Sequence, residues 1–227
     1  MFEEIKNHQQ WCIVEKINKG WSDDTKYYIE TVDHKKLLLR ISDHDNYALK
    51  KKEFEMMRKF SGLGFKMSEP ISFGLCNKNQ NVYILLTWIE GDDLEFALPK
   101  LEQDVQYALG REAGSILKQI HSIKVSDEQI PTHTKILKKK MQLQKYIESD
   151  VRITGDEAVL KFINANLDTI WSKPPVYLHG DFHPGNLILT PNGEIGVIDF
   201  NRWEIGDPFE EFFQGLVFNR NGVKFNA

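Results

Sequence analysis

The sequence has few cysteines, no excess of basic residues and no long hydrophobic run. Its only two cysteines, Cys12 and Cys76, are too few for a disulfide framework, which favours a reducing compartment. Its 29 Lys+Arg against 33 Asp+Glu give a formal net charge of −4, so nothing attracts the whole chain to nucleic acid or to an anionic membrane. We therefore expect a small-molecule partner and no nucleic-acid or membrane partner.

The apolar segments and the N-terminus lead to the same class of protein. The longest apolar run, residues 82–89, has about a third of the length that a membrane helix needs. The first ten residues, MFEEIKNHQQ, lack the basic and then apolar pattern of a signal peptide. These features predict a cytoplasmic protein, and they leave its oligomeric state open.

The first 90 residues have the pattern of a β-sheet with one helix. Four short segments are rich in β-branched and aromatic residues and are separated by turn formers. These segments are WCIVEKI, KYYIETV, KKLLLRIS and VYILLTWI. Apolar residues at roughly helical spacing predict a helix over residues 47–60, which Gly62 and Gly64 end. The pattern predicts antiparallel strands and one long helix, in an N-terminal lobe of residues 1–90.

The rest of the chain, residues 91–227, has a mainly helical pattern. Apolar residues at i, i+3 and i+4 predict an amphipathic helix over residues 101–123, and residues 135–147 and 156–171 also have a helical pattern. The sequence Pro-Asn-Gly at 191–193 predicts a hairpin between two short apolar segments. The overall prediction is an α+β protein with a larger, mainly helical C-terminal lobe.

Polar residues are concentrated in the segment YLHGDFHPGNLIL, residues 177–189. Asp181 and Asn186 lie five residues apart, and Asp199 follows the next apolar strand across the hairpin. Two adjacent short strands carry their flanking residues to one rim, so we expect these three side chains to converge. Oxygen ligands favour Mg²⁺, which often completes its coordination with substrate phosphates. Asp181 is then free to accept a proton from an attacking hydroxyl. Turn capping explains a single aspartate, but it does not explain the combination.

The segment HGDFHPGN at 179–186, with IDF at 198–200 and GDP at 206–208, resembles the catalytic segment of the aminoglycoside phosphotransferase and choline kinase-like group. The resemblance extends over about residues 11–213. It implies a bilobal protein-kinase-like fold and a small-molecule kinase that transfers the γ-phosphoryl group of ATP or GTP to a hydroxyl of a small acceptor such as an aminoglycoside. It also implies that Asp181 is the catalytic base, that Asn186 and Asp199 hold Mg²⁺, and that His179 braces the catalytic loop.

A lobe of this kind needs a turn over the phosphates, a cation on a strand and a carboxylate on a helix. The turn at residues 20–23 is a candidate for the first, with the hydroxyl of Ser22 near phosphate, although a plain hairpin turn explains it equally well. Arg40 ends an apolar strand, and Glu53 on the following helix is its expected partner, with Glu55 as the competing choice. The family most often has lysine at the strand position, so Arg40 replaces a compact ammonium with a planar guanidinium.

The segment LLTWIEGDDL resembles the hinge that receives the nucleotide base through backbone groups around Trp88, Ile89 and Glu90. The same side chains are also compatible with an ordinary core. Family members usually continue for several helices beyond the segment GDPFEEF, and these helices form much of the acceptor pocket. The resemblance therefore implies a C-terminal part that is shorter than is usual in the family.

Two other functions remain as alternatives. A catalytically silent nucleotide-binding protein on the same fold is suggested by Arg40 and by the short C-terminal part, and phosphate transfer from ATP to a test alcohol would distinguish it from a kinase. A metal-dependent phosphoesterase is suggested by GDFHPGN, but such a site needs more histidine and aspartate ligands, and no histidine follows Asn186.

Overall fold

The computed structural model describes residues 2–18, 23–130, 135–169 and 173–212. Its strands are β1 (Trp11–Ile17), β2 (Thr25–Thr31), β3 (Lys36–Asp43), β4 (Lys66–Met67), β5 (Pro70–Cys76), β6 (Asn81–Thr87), β7 (Asp92–Asp93), β8 (Val176–Leu178), β9 (Leu187–Leu189), β10 (Ile195–Val197) and β11 (Glu204–Gly206). Its α-helices are α1 (Tyr47–Phe60), α2 (Leu94–Ala97), α3 (Gln103–His121), α4 (Lys135–Ile147) and α5 (Glu157–Asn166). An antiparallel sheet thus precedes a mainly helical part, as the sequence predicts.

The N-terminal sheet has the strand order β1-β2-β3-β6-β5, and all its neighbours are antiparallel. Side chains alternate between its two faces. Ile29 and Leu39 belong to a hydrophobic cluster on the outer face. Leu38 and Ile84, on the inner face, pack in the larger cluster shared with the C-terminal half. The same alternation places Arg40 on the inner face, directly opposite Ile84 of β6.

Helix α1 connects the two halves through its buried face. Met57 and Phe60 are almost fully buried in the larger hydrophobic cluster. The ring centroid of Phe60 lies 5.4 Å from that of Phe200 and 6.4 Å from that of Tyr177. Strand β4 also pairs in parallel with β10, next to a bond from the Ser68 N–H to the carbonyl oxygen of Val197 at 3.1 Å. The larger hydrophobic cluster contains residues from before and after residue 90. The lobe boundary near residue 90 therefore remains a prediction.

The short strands of the C-terminal half form the support for the polar segment. Strands β9 and β10 make the hairpin predicted around residues 191–193, in the four-stranded order β4-β10-β9-β7. Strand β8 pairs with β11 in a separate two-stranded ladder. The ends of β8, β9 and β10 therefore position the residues that the sequence singles out for catalysis and metal binding.

Helix α3 is the longest helix of the described residues, with 19 residues. Its apolar face is buried at Leu109, Ile116, Leu117 and Ile120, and its opposite face carries charged side chains. None of the helices in the described ranges combines the length and the apolar character that a membrane crossing requires.

Candidate active site

The loop that follows β8 has a backbone that requires glycine. Gly180 has φ +81°, and a Cβ atom built on it would lie 1.9 Å from the carbonyl oxygen of Arg202. A side chain would therefore meet both an unfavourable backbone conformation and a main-chain clash. This close approach holds the loop against the segment that follows Asp199, and it fixes the place of the next residue, Asp181.

His179 connects this loop to the end of β10. Its side chain is fully buried, its Nδ1 accepts the backbone N–H of Asp181 at 3.2 Å, and its Nε2 donates to the carbonyl oxygen of Ile198 at 3.0 Å. The two bonds select one neutral tautomer, and burial lowers the pKa of His179 to about 4. His179 therefore connects the loop to the residue before Asp199 by a pair of hydrogen bonds, and its role as a brace in catalysis remains a prediction.

The buried imidazole of His179 predicts a loss of stability in acid. Its pKa is about 4 in the folded chain, against about 6.5 when unfolded. Its contribution is therefore complete above pH 6.5 and is lost as the pH falls through 4. The shift corresponds to roughly 3 kcal/mol of unfolding free energy. We expect His179→Asn to flatten the decline of unfolding free energy between pH 6.5 and 4, measured by urea denaturation.

His34→Asn is a matched control, because the ring of His34 is exposed and its backbone φ of +60° is one that asparagine tolerates. This control should keep the acid dependence of the wild type. Equal slopes for the wild type and the His179 variant would show that His179 is not the group that titrates.

Asp181 and Asn186 are in direct contact. The Asn186 Nδ2 donates to the Asp181 carbonyl oxygen at 2.9 Å and to its Oδ2 at 3.0 Å. The 3₁₀ turn Pro184–Asn186 places the amide there, and the backbone N–H of Ile198 donates to the Asn186 carbonyl oxygen at 3.1 Å. Asn186 is thus in contact with Asp181 and is hydrogen-bonded to the residue next to Asp199.

Asp199 has a strained backbone, and one of its carboxylate oxygens accepts no hydrogen bond from the described residues. Its φ and ψ are 62° and 64°, a left-handed conformation that costs of the order of 1–3 kcal/mol for a non-glycine residue. Its Oδ1 is buried and accepts no hydrogen bond from the described residues; the nearest cation is the Arg40 Nη1, at 3.6 Å. Such strain is typical of functional positions.

The donor atoms at this place fit a magnesium ion. Asp199 offers a carboxylate oxygen, and Asn186 offers an amide oxygen because its Nδ2 already faces Asp181. In the described ranges, no group of three or more His, Cys, Asp or Glu residues is arranged to hold a metal. Two protein oxygens with substrate phosphates completing the coordination are the usual arrangement for Mg²⁺.

A buried charge cluster lies on the inner face of the N-terminal sheet. Arg40 donates from Nε to Asp24 Oδ2 at 2.8 Å and from Nη1 to Glu53 Oε1 at 2.6 Å. The ammonium of Lys50 lies 2.7 Å from Asp24 and 3.3 Å from Glu53. Burial alone raises the pKa of Asp24, but the charges of Arg40 and Lys50 outweigh it and bring this pKa to about 2. The predicted pair of Arg40 and Glu53 is present, whereas Glu55 is exposed.

Two charged residues that contact the loop after β8 had no role in that loop assigned from the sequence. Arg202 places its Nη1 3.5 Å from Asp181 Oδ1, and its place three residues after Asp199 is the signal that could have revealed it. Glu211 is buried and accepts the backbone N–H groups of His179 and Gly180 at 2.9 and 2.8 Å. Burial raises the pKa of Glu211 to about 7. Glu211 therefore constrains the loop that carries Asp181, whereas the largely exposed Arg202 side chain only faces the Asp181 carboxylate.

In the expected hinge, Trp88, Ile89 and Glu90 all have contacts within the protein itself. The backbone N–H of Trp88 donates to the carbonyl oxygen of Lys36 at 3.0 Å, Ile89 is buried, and Glu90 forms an ion pair with the Lys36 ammonium. Contact between this backbone and a nucleotide base remains a prediction. Ser22, the candidate phosphate-covering residue, lies outside the described residues.

Solved structures of aminoglycoside phosphotransferases share the fold of this chain. The ADP-bound aminoglycoside phosphotransferase APH(2'')-Ib matches with a TM-score of 0.66 and 20% identity, over 93% of this chain and 71% of that chain. The GDP complex of aminoglycoside 2'-phosphotransferase-IIIa matches with a TM-score of 0.71 and 17% identity, over 97% and 78%. The expected bilobal α+β kinase-like fold is therefore confirmed. A search of curated protein sequences finds no match.

The sequence also matches a family model. The phosphotransferase enzyme family model covers residues 13–225 of the chain. This chain belongs to the phosphotransferase enzyme family. The predicted enzyme class, a phosphotransferase, is thereby confirmed, while the roles of individual residues remain proposals.

Proposed function

We propose that this enzyme is a small-molecule kinase that transfers the γ-phosphoryl group of ATP or GTP to a hydroxyl of a small acceptor. The proposal depends most on one observation. Asn186 contacts the carboxylate of Asp181 and is also hydrogen-bonded to Ile198, the residue before Asp199. In this arrangement Asp181 can accept a proton, and Asn186 and Asp199 can each give an oxygen to a divalent ion. Phosphoryl transfer to an alcohol requires both functions.

Asp181 has the role of general base in this proposal. Its carboxylate accepts the proton of the acceptor hydroxyl as that oxygen attacks the γ-phosphorus, and the bond from the γ-phosphorus to the bridging oxygen breaks so that the nucleoside diphosphate leaves. Asn186 holds the carboxylate at Oδ2 and Arg202 faces Oδ1, so the base is oriented from both sides. Mg²⁺, when bound by Asn186 and Asp199, supplies charge neutralisation at the phosphates.

The nucleotide is proposed to lie against the inner face of the N-terminal sheet. The base would contact the backbone from Trp88 to Glu90, and the phosphates would lie near Ser22, Arg40 and Asp199. Glu53 holds Arg40 at 2.6 Å and so fixes the direction of its guanidinium. Similar solved structures are complexes with ADP, ATP or GDP, which supports either purine nucleotide as the donor.

The acceptor is proposed to be a hydroxylated small molecule, with aminoglycosides as the first class to test. Similar structures are described as complexes with streptomycin, gentamicin or kanamycin. Acidic residues near the catalytic loop do not by themselves select a cationic acceptor. Glu211 already accepts two backbone N–H groups, and Asp207 Oδ1 accepts the backbone N–H of Phe209 at 2.9 Å.

The direct test is phosphate transfer from ATP and from GTP to a panel of aminoglycosides and other hydroxylated metabolites, with and without Mg²⁺. We expect phosphorylated acceptor, detected by mass spectrometry, only when Mg²⁺ is present. Nucleotide binding without transfer to any acceptor would favour the silent binding protein instead. Phosphate release from monoesters without a nucleotide would favour the phosphoesterase.

A further inference from the structure

The inner face of the N-terminal sheet has an apolar end and a charged end. At the apolar end, Tyr28 of β2 lies opposite Leu38 of β3, and the Tyr28 ring packs edge-on against the Trp88 ring at 5.1 Å. Two residues earlier on β2, Lys26 lies directly opposite Arg40. Directly opposed residues of antiparallel strands project from the same face, with Cβ atoms about 5 Å apart. Lys26 and Arg40 therefore form the charged end of this face.

The charge of Arg40 is already neutralised in this cluster. Arg40 and Lys50 face the two carboxylates of Asp24 and Glu53, so the four groups together have no net charge. The one guanidinium nitrogen near the proposed metal position, Nη1, also bonds Glu53 at 2.6 Å. Compared with a free cation, Arg40 has little net charge left to offer to a polyphosphate.

Lys26 differs from Arg40 because it forms no hydrogen bond or ion pair with the described residues. Its side chain is half-buried between Arg40 and Ile17, the residue opposite it on β1. Burial lowers the pKa of its ammonium, and among the carboxylates the charge of Asp199 opposes this shift most. A half-buried cation directly opposite Arg40, whose guanidinium lies 3.6 Å from Asp199, has the charge, position and available donors to bind a phosphate oxygen because no carboxylate of the described residues pairs with it.

We propose that Lys26 is a phosphate-binding residue of the nucleotide site, which donates to a phosphate oxygen of the bound nucleoside triphosphate. The proposal rests on the proposed kinase function, since it requires a nucleotide against this face. It also accounts for arginine at the β3 position. Arg40, held by Asp24 and Glu53, mainly connects β3 to helix α1, and Lys26 supplies the positive charge that the neutralised cluster lacks.

The test compares Lys26→Met, Lys26→Arg and the control Lys16→Met, which removes an exposed lysine of the neighbouring strand β1. Affinities for ATP and for adenosine, with GTP and guanosine in parallel, are measured by calorimetry. We expect Lys26→Met to weaken triphosphate binding about tenfold or more and to leave nucleoside binding and the thermal midpoint unchanged. Lys26→Arg should restore most of the affinity, and Lys16→Met should behave as the wild type.

The outcomes separate this inference from the kinase function on which it rests. If the wild type binds triphosphate and Lys26→Met binds it equally well, the inference is wrong and the kinase function stands. If Lys26→Met weakens triphosphate and nucleoside equally, Lys26 supports the fold and does not bind phosphate. If the wild type binds no nucleotide, the proposed function fails, and the inference fails with it.

A labelling experiment on the wild type avoids any effect of substitution on folding. An ATP derivative with an acyl group on its terminal phosphate acylates a nearby lysine: the amine attacks the acyl carbon, an amide forms, and the nucleotide leaves with the phosphate oxygen. We expect peptide mapping to find the acyl group on Lys26, and unlabelled ATP to prevent the reaction. Labelling of Lys50 without Lys26 would contradict the proposal.

Discussion

Asp181→Asn is expected to lower kcat by roughly 10²- to 10⁴-fold, the usual contribution of a general base, while nucleotide affinity stays close to that of the wild type. Asparagine has nearly the same shape, and its side-chain oxygen can still accept the Nδ2 hydrogen bond of Asn186 that the structure shows at 3.0 Å. The change therefore removes the proton acceptor and leaves the loop intact. Steady-state kinetics with calorimetry of nucleotide binding would measure both quantities.

Asp168→Asn is the matched control for this change, since Asp168 is an exposed aspartate that pairs with Lys140. It should alter neither kcat nor nucleotide affinity. A near-normal kcat in the Asp181 variant would exclude Asp181 as the base and would leave the proton to water or to another group of the loop.

Asp199→Asn is expected to reduce turnover and Mg²⁺-dependent nucleotide binding together. A bound metal contributes several kcal/mol to transition-state charge stabilisation, so a loss of at least roughly a hundredfold in kcat is expected. Asparagine suits the left-handed backbone at this position, φ 62°, better than alanine does, so the change tests the charge rather than the fold. The binding readout is the rise in thermal midpoint that Mg²⁺ adds to nucleotide.

Glu194→Gln is the control in this case, because Glu194 is an exposed carboxylate of the same β9–β10 hairpin. It should keep the full Mg²⁺ effect. A Mg²⁺-dependent midpoint shift of wild-type size in the Asp199 variant would mean that Asp199 does not hold the ion.

The sequence was sufficient for the elements whose periodicity is undisturbed. Helices α1 and α4 have the predicted bounds, 47–60 and 135–147, because their apolar spacing is regular and turn residues end α1. Helix α3 is shorter at both ends than predicted. Helix α5 ends at Asn166 and a 3₁₀ turn follows it over Leu167–Thr169, while the predicted end at residue 171 lies outside the described residues. Strand β5 was missed because Pro70 and Gly74 interrupt a run of only seven residues.

The candidate site was predictable where its residues lie close together in sequence. Asp181 and Asn186 are in contact because one short turn joins them. Asp199 comes shortly after β10, the strand that pairs with β9 directly after Asn186. The contacts of Asp24 and Glu211 were not predictable, because they connect residues that are distant in the chain. Asp24 has the sequence pattern of a turn residue, and only strand register brings it to Arg40.

Helix α1 lies in the first half of the chain, but its residue Phe60 packs against Tyr177 and Phe200 of the second half. Moving the sheet and α1 together away from the C-terminal half would expose Phe60 and Phe200 to water, and each aromatic side chain buries about 150–250 Å² of surface. Separation of the two halves on the α1 side is therefore costly. Entry and departure of a nucleotide should instead occur at the opposite margin, beneath β1 and β2, where no comparable aromatic contact joins the described residues of the two halves.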